Sequence, residues 1–364
     1  MGKYSLENYE IYKTKKIRPD LLKTATDNYG RGQITYINCS WADLEPKRGC
    51  YKLESILDEV SKTANPVLIL KPDYPDWINI YPEECFARFI RRVGSFFLGK
   101  DIRLIGVVIS TIGNNVIEWN AYIEGFKDIT LFADVHNYEL IRFLKNENQN
   151  FGLWISCNED NWISCCEDLA SQNLQCNWER KPTLLHVIED SCGFQVIRQS
   201  KQWHAGFSNK KLDLGFLLAL RRLTYPDKVS SNGVLPMRFW FANNGDSPCY
   251  NELCIKLQLV RGDESYIIPL LNSPTNWHVG DIIHNEIIQL PNLLEGNYSI
   301  SVGLFYKNND PVYMAINQNN MDGFYKMGEL TIDYTNRDNL KNVWEYYYPE
   351  GYYPLEDPQS PESE

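Results

Sequence analysis

Leu104–Asn120, LIGVVISTIGNNVIEWN, joins an apolar half to a polar one. Its apolar half, Leu104 to Ile109, is rich in β-branched residues and too short for a typical helix, so it reads as a buried strand. A polar Gly/Asn loop follows at once, and then the pair Glu118-Trp119. A buried strand leading into a loop that carries a carboxylate beside an indole suits the mouth of a parallel barrel, where chemistry collects at the C-terminal strand ends. Glu118 is therefore the leading catalytic candidate. The plainer alternative is a loop glutamate with Trp119 filling a gap.

On either side of this stretch, strand and helix patterns alternate. Upstream, Tyr9–Tyr12 reads as a weak first strand, Arg18–Thr26 as a helix and Ile34–Cys39 as a strand, with Ser40–Pro46 as the loop leaving it. Leu53, Ile56, Leu57 and Val60 recur at the spacing of one helix face, Val67–Lys71 is a strand, and Phe86 to Phe97 forms a second helical stripe. Downstream, Ile129–Ala133, Phe151–Ser156, Thr183–Val187 and Gln202–Phe207 read as strands, with helices at Tyr138–Lys145, Asn161–Gln172 and Leu212–Leu223. This spacing predicts a (β/α)8 barrel of TIM type over residues 1–224. From Tyr225 the helical periodicity stops. Six apolar or alternating runs separated by Asn, Asp, Gly and Pro turns predict an all-β sandwich domain over 225–335. Residues 336–364 form an acidic tail whose Pro/Glu/Ser-rich end is expected to be partly disordered.

Composition narrows the function. Lys and Arg number 36 against 47 Asp and Glu in 364 residues, a net charge of −11, so a phosphate backbone or anionic membrane would meet a repelling surface. Neither nucleic acid nor a membrane is expected as a partner. Aromatic residues make up 13% of the chain, which suits sugar-binding faces and strand packing alike. The ten cysteines show no C-x-x-C spacing, so neither a disulfide framework nor a thiolate zinc site is indicated. No cofactor is implied. Without a signal-like apolar core or a run of membrane-spanning length, the expectation is a cytoplasmic protein.

Several ordered motifs resemble a known family of bacterial two-domain proteins. Its members join a glycoside-hydrolase-like barrel, distantly similar to β-galactosidases, to a β-sandwich domain of uncharacterised function. The matching residues are Ser40-Trp41-Ala42-Asp43-Leu44-Glu45-Pro46 with Gly49 and Tyr51, Ile112-Gly113 leading to Glu118-Trp119, and Trp203-His204-Ala205 with Asn209 and Lys210. Further on come Phe239-Trp240-Phe241, Asn244-Gly245, Pro248-Cys249-Tyr250 and Gly296 to Gly303. The resemblance covers most of residues 30 to 335. It implies a carbohydrate cleft, with Glu118 as general acid/base after the fourth strand. Trp41, Trp77 and Trp119 are then candidate stacking platforms, and Asp43, Glu45, His204 and Asn209 candidate polar support.

The resemblance breaks at the seventh strand, Lys181-Pro-Thr-Leu-Leu-His186-Val-Ile-Glu189-Asp190. The family's nucleophilic glutamate would fall on His186, and retaining hydrolysis requires two carboxyls about 5–5.5 Å apart. Glu189 points to the opposite face from His186 if the strand stays regular, and Asp190 lies about 13 Å further along. Two readings follow: a glycosidase, possessing a displaced nucleophile or degenerate activity, or a non-catalytic carbohydrate-binding or scaffold protein. If His186 faces Glu118, an ion pair is expected, lowering the glutamate's pKa and raising the histidine's. Asp134, His136, His186 and His204 at predicted strand ends leave a metal-dependent hydrolase as a minor alternative.

Overall fold

The computed structural model describes residues 12–16 (backbone), 32–100, 104–189, 193–316 and 320–336. The chain divides into two compact units. One spans Asn28–Gly215 with Asp246–Pro248; the other combines residues 12–16 with Phe216–Gly245 and the described residues from Cys249 to 336.

The first unit is a seven-stranded parallel sheet in sequential order: β2 (Thr35–Ser40), β3 (Pro66–Lys71), β4 (Gly106–Val108), β5 (Leu131–Asp134), β6 (Gly152–Cys157), β7 (Thr183–Val187) and β8 (Ala205–Ser208). The helices are α1 (Trp41–Leu44), α2 (Glu54–Lys62), α3 (Pro82–Phe97), α4 (Val116–Gly125), α5 (Tyr138–Asn146), α6 (Trp162–Ser171) and α7 (Phe194–Gln202). One face of the sheet packs on these helices through a large core that includes Ile37, Leu68, Leu70, Val107, Ile155 and Leu185. The opposite faces pack on one another, through Ile34, Val67, Val108, Phe132 and Leu184. Two apolar faces with period-2 alternation mean that the sheet curls around its own interior. A single parallel bridge, Gln33 to Ser208, brings its two ends together.

That interior is fitted around one ring. A Cβ on Gly106 would lie 2.5 Å from Phe132 Cε2 and one on Gly152 would lie 2.6 Å from the same ring, so glycines on β4 and β6 make room for the phenylalanine on β5. Glycine also sets the helical layer, because a Cβ on Gly94 of α3 would come within 2.2 Å of the Gly125 carbonyl of α4.

The second unit consists of strands. β1 (Tyr12–Lys16), β9 (Leu218–Pro226), β11 (Val234–Asn243) and β14 (Gly280–Gln289) form an antiparallel sheet in the order β1-β9-β11-β14. A larger sheet runs β10 (Lys228–Val229), β18 (Phe324–Ile332), β15 (Gly296–Tyr306), β12 (Leu253–Arg261), β13 (Glu264–Pro269). β16 (Pro311–Val312) and β17 (Asn320–Met321) attach at its side. Leu220, Phe239 and Ile282 of the smaller sheet share one core with Leu257, Ile300 and Leu330 of the larger.

Several expectations are corrected. Eight barrel strands were expected; seven are present among the described residues. The weak first strand near Tyr12 instead pairs antiparallel with β9 in the other unit, Tyr12 opposite Pro226. The segment read as a helix through Leu223 is β9, whose Leu218, Leu220 and Leu223 are buried. Glu118 sits in α4 rather than in a loop, and α7 went unrecognised. The expected helix at Arg18–Thr26 and the tail beyond Asn336 lie outside the described residues.

Candidate functional site

The β4–α4 connection, Ile109 to Asn115, is built around the Glu118 carboxylate. Asn115 caps α4, its Oδ1 accepting from the backbone N–H of Ile117 (3.0 Å) and of Glu118 (3.1 Å). Glu118, three residues on, reaches back. Its Oε1 accepts from Ile112 N at 2.9 Å, and its Oε2 from Gly113 N and Asn115 Nδ2, each at 3.1 Å. This is the reciprocal geometry of a capping box extended into the preceding loop. The residue is 0% exposed, and burial pushes its pKa above the ordinary carboxylate value, partly offset by the backbone donors from Ile112 and Gly113. Tyr122 pins the same loop, its hydroxyl donating to Ser110 O at 2.8 Å.

Trp41 and Trp119 are buried in the helix-side core. Trp41 is 0% exposed, donates its indole N–H to Glu45 Oε2 at 2.8 Å and lies among Trp77, Phe86 and Phe89. Glu45, also fully buried, accepts from Gly49 N at 2.8 Å and takes the Trp77 indole on its carbonyl at 2.7 Å. The Trp41-to-Glu45 motif is thus an internal staple, and neither residue can meet a ligand. Trp77 is half-buried beneath the Arg88 guanidinium, while Trp119 is buried against Phe143 of α5. Asp43 is exposed at the start of α1.

His186 occupies the interior face of β7, opposite Ser156, with its ring 5.3 Å from Tyr36 and 5.5 Å from Trp154. Trp154 donates to the Tyr36 hydroxyl at 3.0 Å. Burial, followed by the charge of Lys210, holds the imidazole pKa below its ordinary value. The expected Glu118–His186 ion pair is therefore not formed: Glu118 is committed to its own loop, and the two pKa values move opposite to the expectation. Glu189 is exposed beyond the end of β7, and Asp190 lies outside the described residues. Asn209 clasps the β7 terminus, accepting from Val187 N at 2.8 Å and donating to Val187 O at 3.0 Å. His204 precedes β8 and lies at the opposite strand end from the one expected, stacked on Trp178 with ring centroids 3.7 Å apart. The histidines therefore do not converge, and no group of three or more His, Cys, Asp or Glu among the described residues is placed to hold a metal ion.

Sequence reasoning did not assemble the open concavity of about 420 Å³ lined by Asn114, Asp134, His136, Asn137, Tyr138 and Glu139. It lies where β5 ends and the β4–α4 and β5–α5 connections meet. Asn137 caps α5 through Leu140 N at 3.0 Å and donates to Asn114 Oδ1 at 2.7 Å. The Asn114 amide reaches Glu139 Oε2 at 3.4 Å. Asp134 accepts from His136 N at 3.0 Å, and burial raises its pKa. His136 bonds Asp168 through Nδ1 and lies 3.8 Å from the Cys165 thiol through Nε2. Although burial acts against it, the Asp168 bond and the Asp134 charge bring the imidazole pKa above its ordinary value. Clustered polar residues on adjacent βα connections are the signal that could have found this site.

No family model and no curated protein matches the chain. Among solved structures, a β-glucosidase from Listeria innocua is 11% identical, over 88% of this chain and 48% of that one, with a TM-score of 0.24. The CARDB domain of a Pyrococcus furiosus protein, solved with di-metal ions, is 12% identical over 34% of this chain and 97% of its own, with a TM-score of 0.20. The chain spans about half the length of the β-glucosidase. At this level of overlap the likeness does not extend to a ligand or an activity. No helix among the described residues is long and apolar enough to cross a membrane.

Proposed function

We propose that the chain is a reduced glycoside-hydrolase-type barrel joined to a β-sandwich, and that it binds a neutral carbohydrate at the β4–β5 concavity without cleaving it. The observation that carries this reading is the state of Glu118: fully buried, with both carboxylate oxygens taken by loop donors. A general acid must reach the leaving oxygen, and this one is turned into its own loop. At the nucleophile's place stands His186, an imidazole held toward its neutral form. The concavity, in turn, is lined by the carboxylates of Asp134 and Glu139 and the carboxamides of Asn114 and Asn137, groups that pair with the vicinal hydroxyls of a sugar.

Calorimetric titration with a panel of neutral mono- and disaccharides, run beside an aryl-glycoside assay, tests the proposal. Binding weakened by Asp134→Asn and Asn114→Ala, without release of aryl alcohol, is the expected result. Turnover that disappears in Glu118→Gln would restore the glycosidase reading; turnover that disappears in Asp134→Asn would make the concavity itself catalytic.

A further inference from the structure

A second, smaller cavity of about 200 Å³ lies on the outer side of the parallel sheet, between β6, β7, α6 and α7. Thr183 opens β7 and Leu153 stands near the start of β6, so the cavity sits toward the N-terminal strand ends, away from the concavity described above. Leucines, Ile155 and the indoles of Trp178 and Trp203 make up most of its wall, and Cys166, Gln175, Gln199 and Gln202 complete the lining. The stack of Trp178 on His204, ring centroids 3.7 Å apart, fixes that indole as a preformed flat wall.

One buried polar atom of this lining has no partner. Thr183 is 1% exposed, and its Oγ1 has no hydrogen-bond partner among the described residues. Buried hydroxyls are ordinarily satisfied, because losing water without gaining a partner is unfavourable. Register explains its direction. Thr183 pairs with Leu153 and shares its strand face with Leu185, both members of the helix-side core, so the hydroxyl faces the cavity and not the barrel interior.

We propose that this cavity is a binding site for a small planar aromatic molecule carrying one N–H or O–H donor, of the indole or phenol type. An engineered apolar cavity of about 150 Å³ holds benzene, so this volume suits a single ring or a compact bicycle. The ring lies against Trp178 and the leucines, and its donor meets Thr183 Oγ1. A charged ligand is excluded, because no charged residue lines the cavity.

The test is calorimetric titration of the full-length protein with indole and with benzofuran, which has the same shape but no donor. Indole is expected to bind at millimolar or lower concentration, and benzofuran about tenfold more weakly, the ratio expected for one neutral hydrogen bond. Thr183→Val should bring the two affinities together, and Leu169→Trp, which fills the space, should abolish both. Should Leu169→Trp fail to fold, Leu174→Phe serves the same purpose. Absence of indole binding to the wild type, or an indole-to-benzofuran ratio unchanged in Thr183→Val, overturns the proposal.

Discussion

Glu118→Gln separates a catalytic glutamate from a structural one. A catalytic glutamate replaced by its isosteric amide keeps its fold and loses activity. In this chain three donors converge on the carboxylate, Ile112 N at 2.9 Å and Gly113 N and Asn115 Nδ2 at 3.1 Å. A carboxamide accepts through one oxygen only and turns its own N–H groups toward the remaining donors. A buried donor left facing an N–H costs about 1–3 kcal/mol, so the carboxamide, which orphans at least one of the three, should destabilise the fold by about 1–3 kcal/mol even though it also removes a buried charge that the raised pKa marks as unfavourable. At about 2–4 °C per kcal/mol, Tm should fall by about 2–12 °C. Scanning calorimetry and urea melts at neutral pH read this directly. The pH dependence has a definite sign. Because burial raises the folded-state pKa, the stability tied to this group is fullest below the ordinary value of 4.5 and declines as pH rises through the raised value. The glutamine variant should lack that decline. An unchanged melting midpoint at neutral pH would refute the structural role.

Other perturbations test other parts of the account. Trp41→Phe removes the donor to Glu45 Oε2 and should cost about 1–3 kcal/mol in urea melts while leaving sugar affinity unchanged; an affinity loss would make Trp41 a ligand platform after all. Gly152→Ala drives a methyl into the Phe132 ring, 2.6 Å from the new carbon, and should destabilise by about 1–3 kcal/mol, with partial recovery in Gly152→Ala/Phe132→Leu; a neutral single variant would contradict the close-packed interior. His186 is held below its ordinary pKa of 6.5, so wild-type stability should fall as pH drops from 6.5 toward that lowered value, and His186→Gln should show less of this fall in paired melts at mildly acidic and neutral pH.

Most of the parallel sheet was legible because its strands are short β-branched runs separated by helical stripes, as at Val67–Lys71 and Phe86–Phe97. Segments where both periodicities fit were harder. Leu212 to Leu223 carries leucines at spacings that suit a helix face, yet β9 buries Leu218, Leu220 and Leu223 across a sheet with a bulge opposite Trp240 and Phe241. Gly193 and Phe194 gave no capping signal, and α7 was missed. The site was less legible than the fold. Asn115-x-x-Glu118 before an apolar run is itself a helix-start signature, and it would have placed Glu118 on α4 with its carboxylate turned back. Trp41 and Glu45, four residues apart, bond to each other, which no single-residue reading of a tryptophan or glutamate conveys. The β4–β5 concavity joins residue 114 to residues 134 and 136–139, so only reading two successive βα connections together, rather than one motif at a time, would have assembled it.

Proton NMR of neutral disaccharides incubated with the wild-type protein, following saturation transfer and the anomeric region together, reads whether a sugar is held but not cleaved. Saturation transfer from protein to sugar, lost in Asp134→Asn, with no new anomeric signals over the incubation, is the expected result. Reducing-end signals that grow in the wild type and vanish in Glu118→Gln, or the absence of any transfer across the panel, would contradict it.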